Sequence, residues 1–305
     1  MAHGHDHGGH HHGPPPGTAA RRLGAALALI LGFMAVEVVI GLVANSLALL
    51  SDAAHMLTDA AALALALLAA RLAKRPPKGQ LTFGLGRAEI LSAQANGATL
   101  LILGAFIVYG AIGRLSDPPD VDGGLVLVVA LVGVAVNIAA TWILHGADRR
   151  SLNVEGAFQH LLTDLAAFIL TAIAAGVIMA TGFHEADGIA ALLVAAIMLY
   201  AAYGLLRASG RVFLEAAPEG LDVAAIGRAM ASRTGVVEVH DLHVWEVTSG
   251  FPALSAHILV GHDDDCHAIR AGVERMLHDE FHIEHTTLQV EHAEHAELLT
   301  IDPPS

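Results

Sequence analysis

A single cysteine, Cys266, stands in the 305 residues, which excludes an internal disulfide and a Cys-based zinc finger. Positive charge is also scarce. Lys and Arg number 16 against 30 Asp and Glu, and a formal net charge of −14 argues against nucleic acid as a partner. Most of the carboxylates fall in the last third and in loops, so the sign says little more. No His-Glu-x-x-His pattern occurs, and no Ser/His/Asp order or phosphate-binding loop suggests any other chemistry, so the chain is not expected to be an enzyme. Residues 1–20 lack the basic-then-apolar order of a signal peptide. They carry His3, His5, Asp6, His7 and His10 to His12 among Gly and Pro, and read as a disordered, metal-attracting cytoplasmic tract. The alternative is an expression tag, but tags are usually unbroken His runs, whereas Gly and Asp6 interleave here.

What the chain has in quantity is apolar sequence, 54% of the total, gathered in long blocks. Six segments are long enough to cross a hydrocarbon core of ~30 Å: roughly Leu23 to Ala44, Leu47 to Leu72, Ile90 to Ile112, Leu125 to Leu144, Ala157 to Thr181 and Ile189 to Leu206. Eleven cations flank them on one side (Arg21, Arg22, Arg71, Lys74, Arg75, Lys78, Arg87, Arg149, Arg150, Arg207 and Arg211) and only Arg114 on the other. By the positive-inside rule both termini are cytoplasmic. Polar residues within the spans (Glu37, Asn45, Ser51, Asp52, Asn96, Asn137 and His145) fit helix–helix hydrogen bonding or a water-lined cavity, with Asp52 left open as a residue lining the approach to a site.

Two spans repeat one pattern. Asp52-Ala-Ala-His55-Met-Leu-Thr-Asp59 enters the second, and Gln159-His160-Leu-Leu-Thr-Asp164 enters the fifth. A His and an Asp four apart on a helix share a face, offset by about 6 Å along the axis. Segments two and five run in opposite directions, so His55 comes level with Asp164 and Asp59 with His160. The four groups make a tetrahedral set of the kind Zn²⁺ takes, where ionisable side chains are costly and therefore functional by default. Both Asp ionised with both His protonated sum to zero charge, and so does Zn²⁺ with neutral His. Exchange of up to two protons for one ion thus leaves no net charge in a low-dielectric place. Imidazole suits this, with an unperturbed pKa of ~6.5. The rival reading is a pair of buried His–Asp ion pairs that steady the bundle.

After Arg211 the composition changes. Leu221 to Thr234 has helical periodicity, Val236 to Val247 and Leu254 to Val260 alternate as strands, and Ser249-Gly250 followed by Pro252 supplies the turn. Cys266 to Glu280 reads as an amphipathic helix and Thr286 to Glu291 as a last strand. The expected fold is therefore an α-helical membrane protein: six transmembrane helices (residues 21–211) plus a small cytoplasmic α+β domain (212–292) of order αββαβ, metallochaperone-like, with helices on one sheet face and a loose tail at 293–305. Its ten His (240, 243, 257, 262, 267, 278, 282, 285, 292 and 295) lie among acids. His240 and His257 can meet across neighbouring strands, with His267 arriving from the helix.

These features together resemble the cation diffusion facilitator family of metal exporters over about residues 20 to 292. Besides the two His-x-x-x-Asp motifs, the resemblance rests on Asn45-Ser-Leu-Ala-Leu-Leu-Ser-Asp-Ala-Ala-His55, Thr82-Phe-Gly-Leu-Gly-Arg-Ala-Glu89, Val239-His-Asp-Leu-His-Val-Trp245, Leu254-Ser-Ala-His257 and Thr287-Leu-Gln-Val-Glu291. It implies a homodimer in the cell (inner) membrane that exports Zn²⁺, with Cd²⁺ or Co²⁺ tolerated, in exchange for H⁺, through a transport site at His55, Asp59, His160 and Asp164. It further implies cytoplasmic metal ligands at His240, His257, His267 and Glu291, with His285 a less certain addition. A further site known in some members, in the loop after segment two, is expected to be missing, because Lys74 to Leu81 offers no His or acid. A membrane-bound zinc sensor that binds without transporting is the alternative function.

Overall fold

The structure is a computed structural model that describes residues 18–43, 47–116, 123–147 and 151–293; side chains at 18, 37, 40–43, 47–55, 58 and 125 lie outside the description. Of the polar residues expected in the spans, Glu37, Ser51 and Asp52 are among these side chains and Asn45 lies in an undescribed segment. Two units are distinct, dividing at Gly210 and Arg211.

Long apolar runs dictate the first unit. With no water to take up backbone N–H and C=O groups, a chain in lipid closes its hydrogen bonds within helices. Six result among the described residues: α1 (Thr18–Val43), α2 (Leu47–Ala73), α3 (Ala88–Ser116), α4 (Gly123–His145), α5 (Leu152–Thr181) and α6 (Glu185–Phe213). Even the shortest, α4 with 23 residues, is about 35 Å long at 1.5 Å per residue. Among the described residues α1, α3, α4, α5 and α6 are long and apolar enough to cross a membrane. The sixth, α2, packs against α1, α3 and α5. Several helices run beyond the apolar segments. The fifth starts at Leu152, not Ala157, because its first turns carry Asn153 and Glu155, polar residues that a hydropathy reading leaves out.

Contacts at the ends set the directions. At one end Arg22 donates to the Ile143 carbonyl at 2.9 Å, joining the start of α1 to the end of α4, and Ser151 donates to Glu89 at 2.6 Å, joining the starts of α5 and α3. At the other end Arg114, the lone cation of its side, pairs with Asp187 at the start of α6. Small residues allow close approach. Ala26, Ala60, Ala66, Ala70, Ala140 and Ala157 are all buried in the core shared by α1, α2, α4 and α5. Asn137 is buried and donates to the Gly133 carbonyl one turn back in α4 itself, not to a neighbouring helix, and His145 is exposed at the end of α4.

The second unit is a three-stranded sheet with two helices: α7 (Val223–Ala231), β1 (Val236–Thr248), β2 (Phe251–Val260), α8 (Cys266–Phe281) and β3 (His285–His292). β1 and β2 are antiparallel, and β2 and β3 parallel through the α8 crossover. Asp222 and Asp265 cap the helices, each accepting two backbone N–H bonds in the first turn. Alternate residues Leu254, Ala256, Ile258 and Val260 form one core with Ile226 and Met230 of α7 and Val273, Met276 and Leu277 of α8. Pro252 lies inside β2 rather than in the turn. It fits there because β3 pairing starts one residue later, at Ala253, so the missing N–H interrupts no bond on that side. Gly250 supplies the turn, with a φ of 73°. Replacing Leu254 with Ala should destabilise this unit by about 2–5 kcal/mol, measured in the full chain as faster amide exchange in β2 and α8 while α1 to α6 keep their protection.

Candidate metal centre

The buried site sits where α2 crosses α5. His160 Nε2 lies 3.1 Å from Asp59 Oδ1 and 3.7 Å from Asp164 Oδ2, so its closer carboxylate belongs to the other helix. The three side chains offer one ligand atom each, all within 4.8 Å of one another. They are nearly shielded from solvent, with relative exposures of 5% for Asp59, 2% for His160 and 6% for Asp164. His160 Nδ1 has no hydrogen-bond partner among the described residues. Two carboxylates facing one imidazole in a dry place leave net negative charge to be met by a cation, whether proton or metal.

A second contact fixes the helix register. Asn153, fully buried, donates to the Ala66 carbonyl at 2.7 Å. From Asp59 to Ala66 is seven residues along α2, and from His160 back to Asn153 is seven along α5. The antiparallel register thus holds over two turns. Carried four residues the other way, it sets position 55 of α2 level with Asp164. The His55 side chain itself lies outside the described residues.

A second group lies on the sheet face away from α7 and α8. His240 and His257 are direct partners in the β1–β2 pairing, with ring centroids 5.3 Å apart. Asp241 joins them, its carboxylate within 4.8 Å of both rings' ligand atoms. His240 Nδ1 is shielded and makes no hydrogen bond among the described residues, though Glu238 Oε1 faces it at 3.8 Å. Glu291 reaches toward the group from β3, with Oε1 at 4.0 Å from His257 Nδ1.

Asp241 was not among the sequence candidates. In a regular strand it would point away from His240. A bulge between His240 and His243 sets Asp241 and Leu242 against one partner residue, and Asp241 takes a positive φ of 49° that turns its carboxylate to the open face. The signal for it was the slip in alternation, since core residues Val239 and Leu242 are three apart instead of two.

Two expected ligands are not brought to this group within the chain. His267 is exposed in the first turn of α8, and α8 packs on the opposite face, so the sheet lies between it and His257. His285 pairs with Ala253, whereas His257 pairs with Gln289. Four residues of strand, about 13 Å, separate the two levels, and His285 lies against Phe251 instead.

Comparison with known proteins agrees with this two-part arrangement. Residues 23–214 match the family model for the cation efflux transmembrane domain, and residues 218–293 match that for the cation efflux protein cytoplasmic domain. The zinc transporter ZitB of Escherichia coli is 41% identical over 96% of this chain and 93% of its own length. The cadmium, cobalt and zinc/H(+)-K(+) antiporter of Bacillus velezensis is 37% identical over 97% of this chain and 93% of its own. A solved metal-bound C-terminal domain of the CzcD transporter from Cupriavidus metallidurans is 32% identical over 23% of this chain and 99% of that domain, with a TM-score of 0.23. The chain is an integral membrane protein that belongs to the cation efflux, or cation diffusion facilitator, family.

Proposed function

We propose that the chain is a proton-coupled antiporter, not an enzyme, that exports Zn²⁺ from the cytoplasm by alternating access, with Cd²⁺ and Co²⁺ as further substrates. One observation carries the reading: Asp59, His160 and Asp164 converge, buried, between two antiparallel helices whose register sets position 55 at the same level. His55 completes a two-imidazole, two-carboxylate set. That donor set favours tetrahedral Zn²⁺ over Mg²⁺ or Ca²⁺, which want six or more oxygens. The names of the relatives, a zinc transporter and a cadmium, cobalt and zinc antiporter, support the same substrates.

The protons follow from charge. An incoming Zn²⁺ displaces protons from the imidazoles, and their return on the opposite side releases the ion, so the pocket stays close to neutral throughout. Because His160 already bridges toward both carboxylates, protonation and metal binding compete for the same oxygens. The termini are assigned to the cytoplasm, the chain to a homodimer in the cell membrane, and Zn²⁺ on the cytoplasmic domain to a regulatory role. His240, Asp241 and His257, with Glu291 close by and Glu238 Oε1 at 3.8 Å from His240 Nδ1, have the ligand chemistry for that ion. Zinc that joins or closes two such domains would couple the cytoplasmic zinc level to alternating access in the membrane bundle.

In sealed proteoliposomes, a Zn²⁺ gradient should drive proton movement in the opposite direction, and His160→Ala or Asp59→Ala should abolish both fluxes while the dimer still forms. A chain that only senses zinc would bind the ion and move no protons. Asp241→Ala should weaken Zn²⁺ binding by the soluble unit at least about tenfold, equivalent to roughly 1.4 kcal/mol. Titration calorimetry checks this, with the membrane site removed by His160→Ala and the His-rich residues 3–12 deleted to isolate the signal.

A further inference from the structure

Between Gly123 and Ala140, α4 consists of Gly, Ala, Val, Leu and Ile with a single exception, Asn137. A polar side chain inside such a helix is costly unless it has a task. Asn137 is not turned to lipid. It is 5% exposed, whereas Leu131, Ile138 and Trp142 on the outer side of α4 are 55%, 52% and 78% exposed. Its amide nitrogen donates to the Gly133 carbonyl at 3.1 Å, within its own helix. That bond uses one of the two N–H groups and fixes the plane of the amide, which leaves the second N–H for another acceptor.

Three contacts set the register of α4 against α5. A Cβ at Gly123 would stand 3.7 Å from Ile178, a Cβ at Gly133 would overlap the Phe168 ring, and the rings of His145 and Phe158 lie 6.2 Å apart. From Gly123 to Gly133 is ten residues along α4, and from Ile178 back to Phe168 is ten along α5. The two helices are therefore antiparallel and stay level with each other. One turn from Gly133 toward His145 is Asn137, and one turn from Phe168 in the same direction is Asp164. The lone polar residue in this stretch of α4 thus comes level with a carboxylate of the buried site. The apolar core agrees: Ala140 and Leu144 of α4 join Ala60 and Leu63 of α2 and Ala157 and Leu161 of α5, so α4 reaches the inside of the bundle at the height of Asp59 and His160.

An amide suits that place. On the transport reading above, two carboxylates and two imidazoles already balance against two protons or one Zn²⁺, so a further ionised group would leave net charge away from water. A neutral N–H donor adds none. Ligating carboxylates are themselves hydrogen-bonded, and the partner sets their orientation. With one oxygen held by an amide, Asp164 offers the other to the ion, which keeps the ligand count at the four that Zn²⁺ takes. Released, the carboxylate offers both oxygens, as ions of higher coordination number favour.

We propose that Asn137 is a positioning residue of the transport site, its second N–H holding one oxygen of Asp164, and that the preference for four-coordinate Zn²⁺ over six-coordinate Mn²⁺ depends on it. This deepens the transport reading and rests on it. It gives α4 a share in a site whose ligands come from α2 and α5.

Asn137→Leu keeps the approximate volume and removes the amide. In proteoliposomes it should raise the KM for Zn²⁺ about tenfold with Vmax little changed, and narrow the ratio of the Mn²⁺ to the Zn²⁺ KM by about the same factor. Asn137→Gln, which retains an amide, should recover most of the loss. Ile138→Ala, next along α4 but facing lipid, should leave both constants at their wild-type values. Where Leu proves too large to fold, Asn137→Ala serves the same comparison. A residue that only steadied α4 would lower thermal stability and Vmax without moving the metal ratio, and that outcome overturns the proposal. Wild-type KM for both ions in Asn137→Leu, beside an inactive His160→Ala, overturns the assignment of Asn137 alone. Normal Zn²⁺ transport in His160→Ala refutes the site, and this assignment with it.

Discussion

Two carboxylates and an imidazole held together away from water are the constraint on which the membrane unit depends. Left unpaired, Asp59 and Asp164 would be costly in an apolar surrounding. They persist because His160 stands between them, and His160 is placed by the antiparallel register of α2 and α5. That register depends in turn on Asn153, whose amide ties α5 to the Ala66 carbonyl two turns away. Buried alanines on α1, α2, α4 and α5 bring the helices near enough for these short side chains to meet.

Other parts of the bundle pack through apolar residues: Leu100 and Leu103 of α3 and Ala167 and Leu170 of α5 form one cluster with Val194, Met198, Ala202 and Leu205 of α6. The soluble unit solves a different problem. Its helices cover one face of a small sheet, and His240, Asp241 and His257 occupy the other, so a ligand can bind there without disturbing the core.

How much of this was legible in the sequence varied with the physics involved. The six long helices and the αββαβ order could be read because apolar run length and period-two alternation are local properties. The convergence of Asp59, His160 and Asp164 could be read for a similar reason, since spacing of four fixes a shared helix face and the alternation of span directions fixes the antiparallel sense. Asp241 was missed because a bulge is set by pairing with β2, although the three-residue step from Val239 to Leu242 records it. His267 is grouped with His257 as arriving from the helix and His285 through the resemblance, and neither argument says which sheet face or which register level a side chain takes; the crossover of α8 and the parallel pairing of β3 decide that. The start of α5 at Leu152 escaped a hydropathy reading because its first turns carry polar Asn153, which is buried, and Glu155.

Zinc anomalous scattering from crystals of the loaded protein tests the central claim most directly. The account predicts a peak between α2 and α5, at about 2.0–2.2 Å from carboxylate oxygens of Asp59 and Asp164 and from an imidazole nitrogen of His160. Zinc bound only to the soluble unit, with no peak between those helices in protein that still transports it, would contradict the account.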